Sequence, residues 1–127
     1  MEDKRELLIK HIIDAAFEVR KKLVQGYLEI VYERALIIEL MERGFKVESQ
    51  KPIQINYKGH IVGDFKIDLL VEDEIVVEIK AVSQLVNVHE IQLVNYLTIM
   101  NRDVGLLINF GGDKFEVKRK HRLYNAK

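Results

Sequence analysis

Charged residues interrupt two apolar runs between Gly63 and Lys80, and three of them, Asp68, Glu78 and Lys80, could act together as a chemical site. Asp68 lies in the first of two runs rich in β-branched and aliphatic residues, and Glu78 lies in the second, two positions before Lys80. Such runs on either side of an acidic turn are typical of a β-hairpin. If the hairpin turns at Asp73, Asp68 lies opposite Glu78, and Glu78 shares a strand face with Lys80 because side chains alternate. The pattern therefore brings two carboxylates within a few ångströms of each other.

Two carboxylates this close need something to offset their repulsion. At about 4 Å and an effective dielectric constant of 20, two like charges repel by roughly 4 kcal/mol. A proton, the lysine ammonium or a metal ion could offset this energy. Hard divalent cations such as Mg²⁺ and Mn²⁺ prefer carboxylate ligands, and their chemistry in such sites is commonly phosphoryl transfer. The alternative is a solvated pair of Glu78 and Lys80 on an edge strand, with Asp68 on the exposed face.

The second predicted helix carries a stripe that could contribute a further carboxylate. Glu29, Tyr32 and Glu33 lie at i, i+3 and i+4, so they share one side of the helix near its start. Glu29 could be a metal ligand, or it could simply complement the helix dipole in the first turn. We expect Tyr32 to lie in the core rather than to act in catalysis.

The third predicted helix carries a second polar stripe. His89, Gln92 and Tyr96 fall at i, i+3 and i+7, within about 60° of one another around the helix axis. A solvated flank would ordinarily explain these residue types. This helix follows the acidic hairpin, however, and is expected to pack across its sheet. The stripe could therefore face the carboxylates.

Composition bounds the class of protein. The chain has 127 residues, 48% of them hydrophobic and 31% charged, as in one soluble globular domain spanning 1–127. The absence of cysteine excludes disulfides, thiolate metal sites and cysteine nucleophiles. No apolar run is long enough to cross a bilayer, and residues 1–10 are too charged for a signal peptide. We therefore expect a cytoplasmic protein without a membrane partner.

The charge balance argues against bulk electrostatic binding of nucleic acid. Twenty basic and 20 acidic residues give a net charge of zero. A local basic run near the end of the chain, formed by Lys118, Arg119 and Lys120 and continued to residue 122, could still contact phosphates. A basic tail of this kind can also be only a solubilising end.

Periodicity and turn residues predict three helices and a sheet. The helices are predicted at Asp3 to Leu23, Leu28 to Arg43 and Asn87 to Asn101, with Asn87 as an N-cap. The strands are predicted at Phe45 to Gln50, Ile53 to Tyr57 as its continuation or a second strand, His60 to Val71, Ile75 to Lys80, Val104 to Phe110 and Phe115 to Lys118. Pro52 demands an edge or a bulge between the first two runs. The fold class is therefore α/β (α+β), a mixed β-sheet with an antiparallel meander and a right-handed βαβ crossover, flanked by helices.

These features resemble the PD-(D/E)XK nuclease superfamily and, within it, the small GxxExxY family. The naming motif of that family is matched by Gly26-Tyr27-Leu28-Glu29-Ile30-Val31-Tyr32. Further matches follow in order along nearly the whole chain, at Gln50-Lys51-Pro52-Ile53, Tyr57-Lys58-Gly59, Asp68-Leu69-Leu70-Val71, Val77-Glu78-Ile79-Lys80-Ala81, Val88-His89-Glu90, Gln92-Leu93, Asn95-Tyr96-Leu97 and Gly105-Leu106-Leu107-Ile108-Asn109-Phe110.

The resemblance assigns roles to the hairpin. Its active-site pattern is D…E-x-K, matched by Asp68, Glu78 and Lys80, with Ile67 where the superfamily name has proline. It implies a restriction-endonuclease-like core and a metal-dependent nuclease acting on DNA more readily than on RNA. Mg²⁺ or Mn²⁺ would be held by the two carboxylates and the Ile79 carbonyl, and Lys80 would orient water or neutralise charge. Asp64, four residues before Asp68, ranks second as the aspartate.

The resemblance also assigns roles on the helices. Gln92 and Tyr96 match the QxxxY motif of the RecB-like and Cas4-like branches and would position the lysine, a water or the nucleic-acid backbone. Glu29 would add a metal ligand, directly or through water, as a glutamate of the first core helix often does in the superfamily. His89 would contact a phosphate, although a structural hydrogen bond explains it equally well.

Two other functions fit the same sequence. A catalytically silent module could keep the nuclease fold and bind a protein or nucleic-acid partner, which the neutral net charge favours. A Holliday-junction-resolvase-like enzyme of similar size and motif would act as a homodimer. Intact residues at positions 68, 78, 80 and 92 disfavour the silent module, since a site released from catalysis need not retain all four.

Overall fold

The computed structural model describes residues 3–123, which form three helices and five strands. The helices are α1 (Lys4–Lys22), α2 (Glu29–Glu42) and α3 (Asn87–Met100). The strands are β1 (Val47–Tyr57), β2 (His60–Val71), β3 (Ile75–Lys80), β4 (Val104–Asn109) and β5 (Glu116–His121).

The five strands form one mixed sheet in the order β1-β2-β3-β4-β5. All neighbouring strands are antiparallel except β3 and β4, which are parallel and are connected through α3. The predicted antiparallel meander, βαβ crossover and flanking helices are therefore confirmed. None of the helices in the described part of the chain is both long and apolar enough to span a membrane.

Each face of the sheet is covered by helices. α1 and α2 cover one face, where Ile12 and Leu36 pack with Val77 of β3. α3 covers the other face through Leu93 and Leu97. Fully burying one such aliphatic side chain contributes about 1.5–3 kcal/mol, so these two apolar layers hold the sheet between the helices.

Tyr32 holds the connection between α1 and α2. Its side chain is fully buried and its ring stacks on Phe110, with ring centroids 4.8 Å apart. Its hydroxyl donates to the Val24 carbonyl at 2.7 Å and accepts from the Tyr27 N–H at 3.2 Å. The expectation that Tyr32 belongs to the core is confirmed.

The start of α3 differs from the prediction. Asn87 is the first helical residue, and Val86 rather than Asn87 is the N-cap. The Val86 N–H donates to Nδ1 of His89 at 3.3 Å, and the His89 N–H donates to the Val86 carbonyl at 3.0 Å. The prediction of Asn87 as the N-cap is therefore wrong, because the backbone enters the helix one residue earlier, at Val86, whose N–H is bound by the imidazole of His89.

The outer strands also refine the expected bounds. β1 runs without a break through Pro52, so the second of the two predicted runs is a continuation of the first. Pro52 pairs with Lys66, and β1 lies at the edge of the sheet, where a residue without an N–H is tolerated. β5 extends to His121, three residues beyond the predicted end at Lys118.

Candidate functional site

The hairpin of β2 and β3 opens at Asp68 and Glu78. The backbone pairing runs from Val71↔Ile75 to Leu69↔Val77 and goes no further. Beyond it the two carboxylates take over the hydrogen bonds that the ladder would have made. We call this opening, with Asp68 on one side and Glu78 on the other, the strand fork.

Each carboxylate of the strand fork accepts a backbone hydrogen bond from the opposite strand. The Asp68 N–H donates to Oε2 of Glu78 at 2.8 Å. The Ile79 N–H donates to Oδ2 of Asp68 at 2.7 Å. The structure therefore brings these two residues together as their spacing in the sequence suggested.

A third carboxylate, that of Glu33, reaches the fork from α2. Glu33 is only 5% exposed. The side-chain amide of Gln50 in β1 donates to Oε1 of Glu33 at 2.8 Å and to Oδ1 of Asp68 at 3.3 Å. The two carboxyl groups therefore share one amide nitrogen as their hydrogen-bond donor. We call Glu33, Asp68 and Glu78 the carboxylate cluster.

Burial and mutual repulsion make two members of the carboxylate cluster weak acids. Burial raises the pKa of Glu78 to about 8, and the charge of Asp68 adds to the effect. Burial likewise raises the pKa of Glu33 to about 7, again with a contribution from Asp68. Because desolvation and like charges both disfavour the ionised form, the cluster holds protons at neutral pH unless another cation replaces them.

Lys80 lies beside the carboxylate cluster without neutralising it. Its positive charge lowers the pKa of Glu78, but by less than burial and Asp68 raise it. Among residues 3–123 the ammonium of Lys80 forms neither a hydrogen bond nor an ion pair. Its charge is therefore available to a further anionic group.

Gln92 and Tyr96 form a hydrogen-bonded pair on α3. The side-chain amide of Gln92 donates to the Tyr96 hydroxyl at 2.8 Å. Burial raises the pKa of Tyr96, as do the charges of Glu78 and Asp68. The hydroxyl therefore lies within electrostatic reach of the cluster, and its O–H proton is not used in the bond with Gln92.

Glu29 and Asp64 lie outside the carboxylate cluster. Glu29 is exposed in the first turn of α2, one turn before Glu33, and its charge helps to raise the pKa of Glu33. Asp64 is exposed and lies opposite Gln54, in the part of β2 that pairs with β1 alone. Of the acidic residues on α2, Glu33 is the one that shares the Gln50 amide with Asp68.

The basic run does not form one patch. Arg119 makes two hydrogen bonds with Glu6 of α1, at 2.8 and 2.7 Å. Lys120 pairs with Glu90 of α3 at 3.0 Å, on the other face of the sheet. Lys118 lies 3.9 Å from a carboxylate oxygen of Glu116. These cations are therefore divided between the two faces of the sheet and already have acidic partners. The imidazole of His89 accepts the Val86 N–H at the start of α3.

Sequence reasoning assigned no role to two residues of the site, Glu33 and Gln50. A signal for Glu33 was present, because it lies beside Tyr32 on the side of α2 that also carries Leu36 and Leu40, both fully buried. A carboxylate on a buried apolar stripe needs a partner or a function. Gln50 stood out only as part of the Gln50-Lys51-Pro52-Ile53 match to the resembled family, which assigned it no role, because its contacts join β1 to α2 and β2.

The carboxylate cluster fits a divalent cation in its chemistry. As the side chains stand, no group of three or more His, Asp or Glu residues within 3–123 is arranged to hold a metal ion. Their oxygens accept hydrogen bonds from the Asp68 and Ile79 N–H groups and from Gln50. The donor set is nevertheless all oxygen and clustered, and a hard divalent ion would relieve the repulsion that raises the pKa values.

The chain is similar to known proteins in sequence and in fold. The sequence model of a family described as the PD-(D/E)XK nuclease superfamily matches residues 6–120. No curated protein matches the chain significantly. The crystal structure of SSO0001 is similar with a TM-score of 0.57 at 20% identity, covering 76% of this chain. At that identity the similarity shows the fold alone, and the chain spans about half (52%) of the length of SSO0001.

Proposed function

Because the chain belongs to the PD-(D/E)XK nuclease superfamily, we propose that it is a nuclease that requires a divalent metal ion and hydrolyses phosphodiester bonds in DNA, with RNA as the less favoured substrate. The observation that carries this proposal is the strand fork, where half-buried Asp68 lies with the buried carboxylates of Glu78 and Glu33 in one cluster. Lys80 and Tyr96 lie within electrostatic reach of these carboxylates. The five side chains combine acidic ligands, a cation and a hydroxyl at one place.

Glu33, Asp68 and Glu78 would hold Mg²⁺ or Mn²⁺, with the Ile79 carbonyl as a further ligand. Glu29, which is exposed one turn before Glu33, would contribute through a bound water. A divalent cation in such a set supplies Lewis-acid stabilisation of a phosphate group. It would also take the place of the protons that the raised pKa values of Glu33 and Glu78 indicate. The metal requirement of the proposal rests on this charge balance.

Lys80 would stabilise negative charge on the phosphate. Its ammonium has no hydrogen-bond partner among residues 3–123 and lies near Glu78, so a phosphate at the carboxylate cluster would be its nearest new anion. A fixed cation beside the phosphate lowers the free energy of the transition state more than that of the ground state, because charge accumulates on the oxygens during displacement. Lys80 would also orient the attacking water.

The Tyr96 hydroxyl would donate a hydrogen bond to a substrate oxygen or to a carboxylate oxygen. Since its hydroxyl oxygen accepts from Gln92, the rotation of the O–H group is restricted. Gln92 would therefore position Tyr96. His89, Lys118, Arg119 and Lys120 would contact nucleic acid only by exchanging their present partners for phosphates, so the principal phosphate contact is placed at Lys80.

A nuclease assay tests the proposal. Purified wild type is incubated with Mn²⁺ or Mg²⁺ and single-stranded, duplex or four-way-junction DNA, alongside Asp68→Ala, Glu78→Ala, Lys80→Ala and the control Asp73→Ala. We expect cleavage by wild type and Asp73→Ala only, and none after chelation of the metal. Equal activity in all proteins would indicate a contaminant or another site. Asp64→Ala tests the second-ranked aspartate, and junction cleavage by a homodimer would identify a resolvase-like enzyme.

One observation favours a second candidate, a catalytically silent module. The carboxylates of Asp68 and Glu78 cap backbone N–H groups in the described structure, as purely structural carboxylates do. A silent module would bind its nucleic-acid or protein partner without cleaving DNA at any Mn²⁺ concentration. Gel-shift binding of uncleaved DNA by wild type, unchanged in Asp68→Ala, would favour that function over the nuclease.

A further inference from the structure

Gln50 lies in the middle of β1 with an unusual backbone conformation. Its φ is 54°, in the left-handed region that non-glycine residues rarely adopt. Gln50 and Asp68 are absent from the otherwise regular pairing of β1 with β2 at this point. A glutamine held in this conformation needs a reason in its side chain, because its backbone alone would favour an ordinary strand.

The strands reverse their faces at this position. Leu69 of β2 packs in the core beneath α1 and α2, whereas Ile67 packs in the core beneath α3. Residues two apart in a regular strand lie on the same face, so β2 turns over between them, at Asp68. The interruption at Gln50 and Asp68 thereby lets residues from opposite layers meet, and Glu33 of α2 reaches β2 there.

The amide of Gln50 joins two carboxylates that repel each other. Its nitrogen donates to Oε1 of Glu33 and to Oδ1 of Asp68. An amide nitrogen has two protons to donate and no charge. It can therefore hold two carboxylates side by side without neutralising them, whereas a lysine would cancel one of their charges and a carboxylate would add a third.

We infer that Gln50 is a positioning residue, whose amide holds Glu33 and Asp68 together so that the carboxylate cluster can bind a divalent cation. This inference rests on the proposed function, because it assigns Gln50 to the same site. Gln50 itself would not contact the metal ion. Hydrogen bonds from neighbouring side chains commonly set the orientation of metal ligands, and their loss typically lowers metal affinity 10- to 100-fold.

Mn²⁺ binding to chelator-treated protein, measured by isothermal titration calorimetry, tests the inference. Gln50→Gly removes the amide and suits the left-handed backbone, and Gln50→Asn keeps the amide but shortens its reach by one methylene group. We expect the Mn²⁺ dissociation constant to rise at least about tenfold in both variants. The control is Gln54→Ala, an exposed glutamine of the same strand without a side-chain hydrogen bond, which should stay within about twofold of wild type.

A spectroscopic readout separates positioning from a general structural role. In a ¹⁵N-labelled sample, addition of diamagnetic Mg²⁺ should shift the side-chain NH₂ signals of Gln50 and leave those of Gln54 unchanged. Gln50→Gly should melt within a few degrees of wild type without metal while losing Mn²⁺ affinity. If Gln50→Gly instead loses stability without metal while its Mn²⁺ dissociation constant is unchanged, Gln50 has only a structural role.

The failures of the two proposals are distinguishable. If wild type binds Mn²⁺ in a manner abolished by Asp68→Ala, but Gln50→Gly and Gln50→Asn bind it equally well, the inference is wrong and the proposed function stands. If wild type does not bind Mn²⁺ at all, both are wrong.

Discussion

Acidic residues at the two ends of the β2–β3 hairpin have different partners. At the turn between β2 and β3, Asp73 pairs with Arg102 at 2.8 Å and Glu74 pairs with Arg5 at 2.7 Å. At the strand fork, three carboxylates meet without forming an ion pair to any residue within 3–123. Two of the three carboxylates at the turn thus receive an arginine, and Glu72 accepts from the Lys46 N–H, whereas no carboxylate of the fork receives an arginine.

The pKa values follow the same division. The Arg102 guanidinium lowers the pKa of Asp73, which is fully exposed. Burial and neighbouring acids raise the pKa of Glu78 to about 8 and that of Glu33 to about 7. The fork therefore costs stability when it is ionised and unoccupied, which is typical of functional sites and not of structural ion pairs.

Neutralising the fork should stabilise the metal-free protein. Because ionised Glu78 is disfavoured in the fold, Glu78→Gln should raise the free energy of unfolding at pH 8 by on the order of 1–3 kcal/mol. The matched change at the turn, Glu74→Gln, should lower it slightly through loss of the pair with Arg5. Urea unfolding in the presence of a chelator measures both, and destabilisation by Glu78→Gln would contradict the account.

The metal-free protein should also lose stability as the pH rises from 5 to 8. The folded pKa values of Glu33 and Glu78 exceed the unfolded values near 4.5, so the folded state binds more protons in this window and stability falls as they leave. The expected loss is on the order of a few kcal/mol. Acids with lowered pKa values, such as Asp73, titrate below this window.

Chemical denaturation of chelated protein across this pH range provides the check. The double variant Glu33→Gln/Glu78→Gln should show a nearly flat profile. A wild-type profile that is flat or rises with pH would mean that the two carboxyl groups ionise freely in the fold.

The smallest effect is expected at the turn. Arg5 bridges Glu74 and Asp103, but all three side chains are about one-third exposed. Exposed ion pairs contribute little, so Arg5→Ala should lower the melting temperature by less than about 5 °C, and added salt should reduce that difference. Differential scanning calorimetry at low and high salt gives the comparison, and a large salt-independent loss would show that the turn is more than a surface ion pair.

The sequence predicted those parts of the site that depend on local pattern. The bounds of β3, the opposition of Asp68 and Glu78 and the shared stripe of Gln92 and Tyr96 follow from strand alternation and helix periodicity. These relationships need only a hairpin and a helix, so no long-range information was required.

Glu33 and Gln50 could not be assigned in the same way. Their contacts depend on how α2 packs against β1 and β2. The partners of Gln50 are distant in sequence, since Glu33 lies 17 residues before it and Asp68 lies 18 residues after it. The left-handed backbone of Gln50 is also invisible to local propensity, since glutamine has no special preference for it. The acidic partners of Arg119 and Lys120 could not be predicted either, because they depend on how α1 and α3 pack on opposite faces of the sheet.

Thermal unfolding of chelator-treated protein, with and without added Mn²⁺, tests most directly whether the strand fork binds a divalent cation. At one hundred times its dissociation constant the ion should stabilise wild type and Asp73→Ala by about 2.7 kcal/mol and should not stabilise Asp68→Ala. No stabilisation of wild type, or an equal shift in Asp68→Ala, would contradict the assignment of the fork as the metal site.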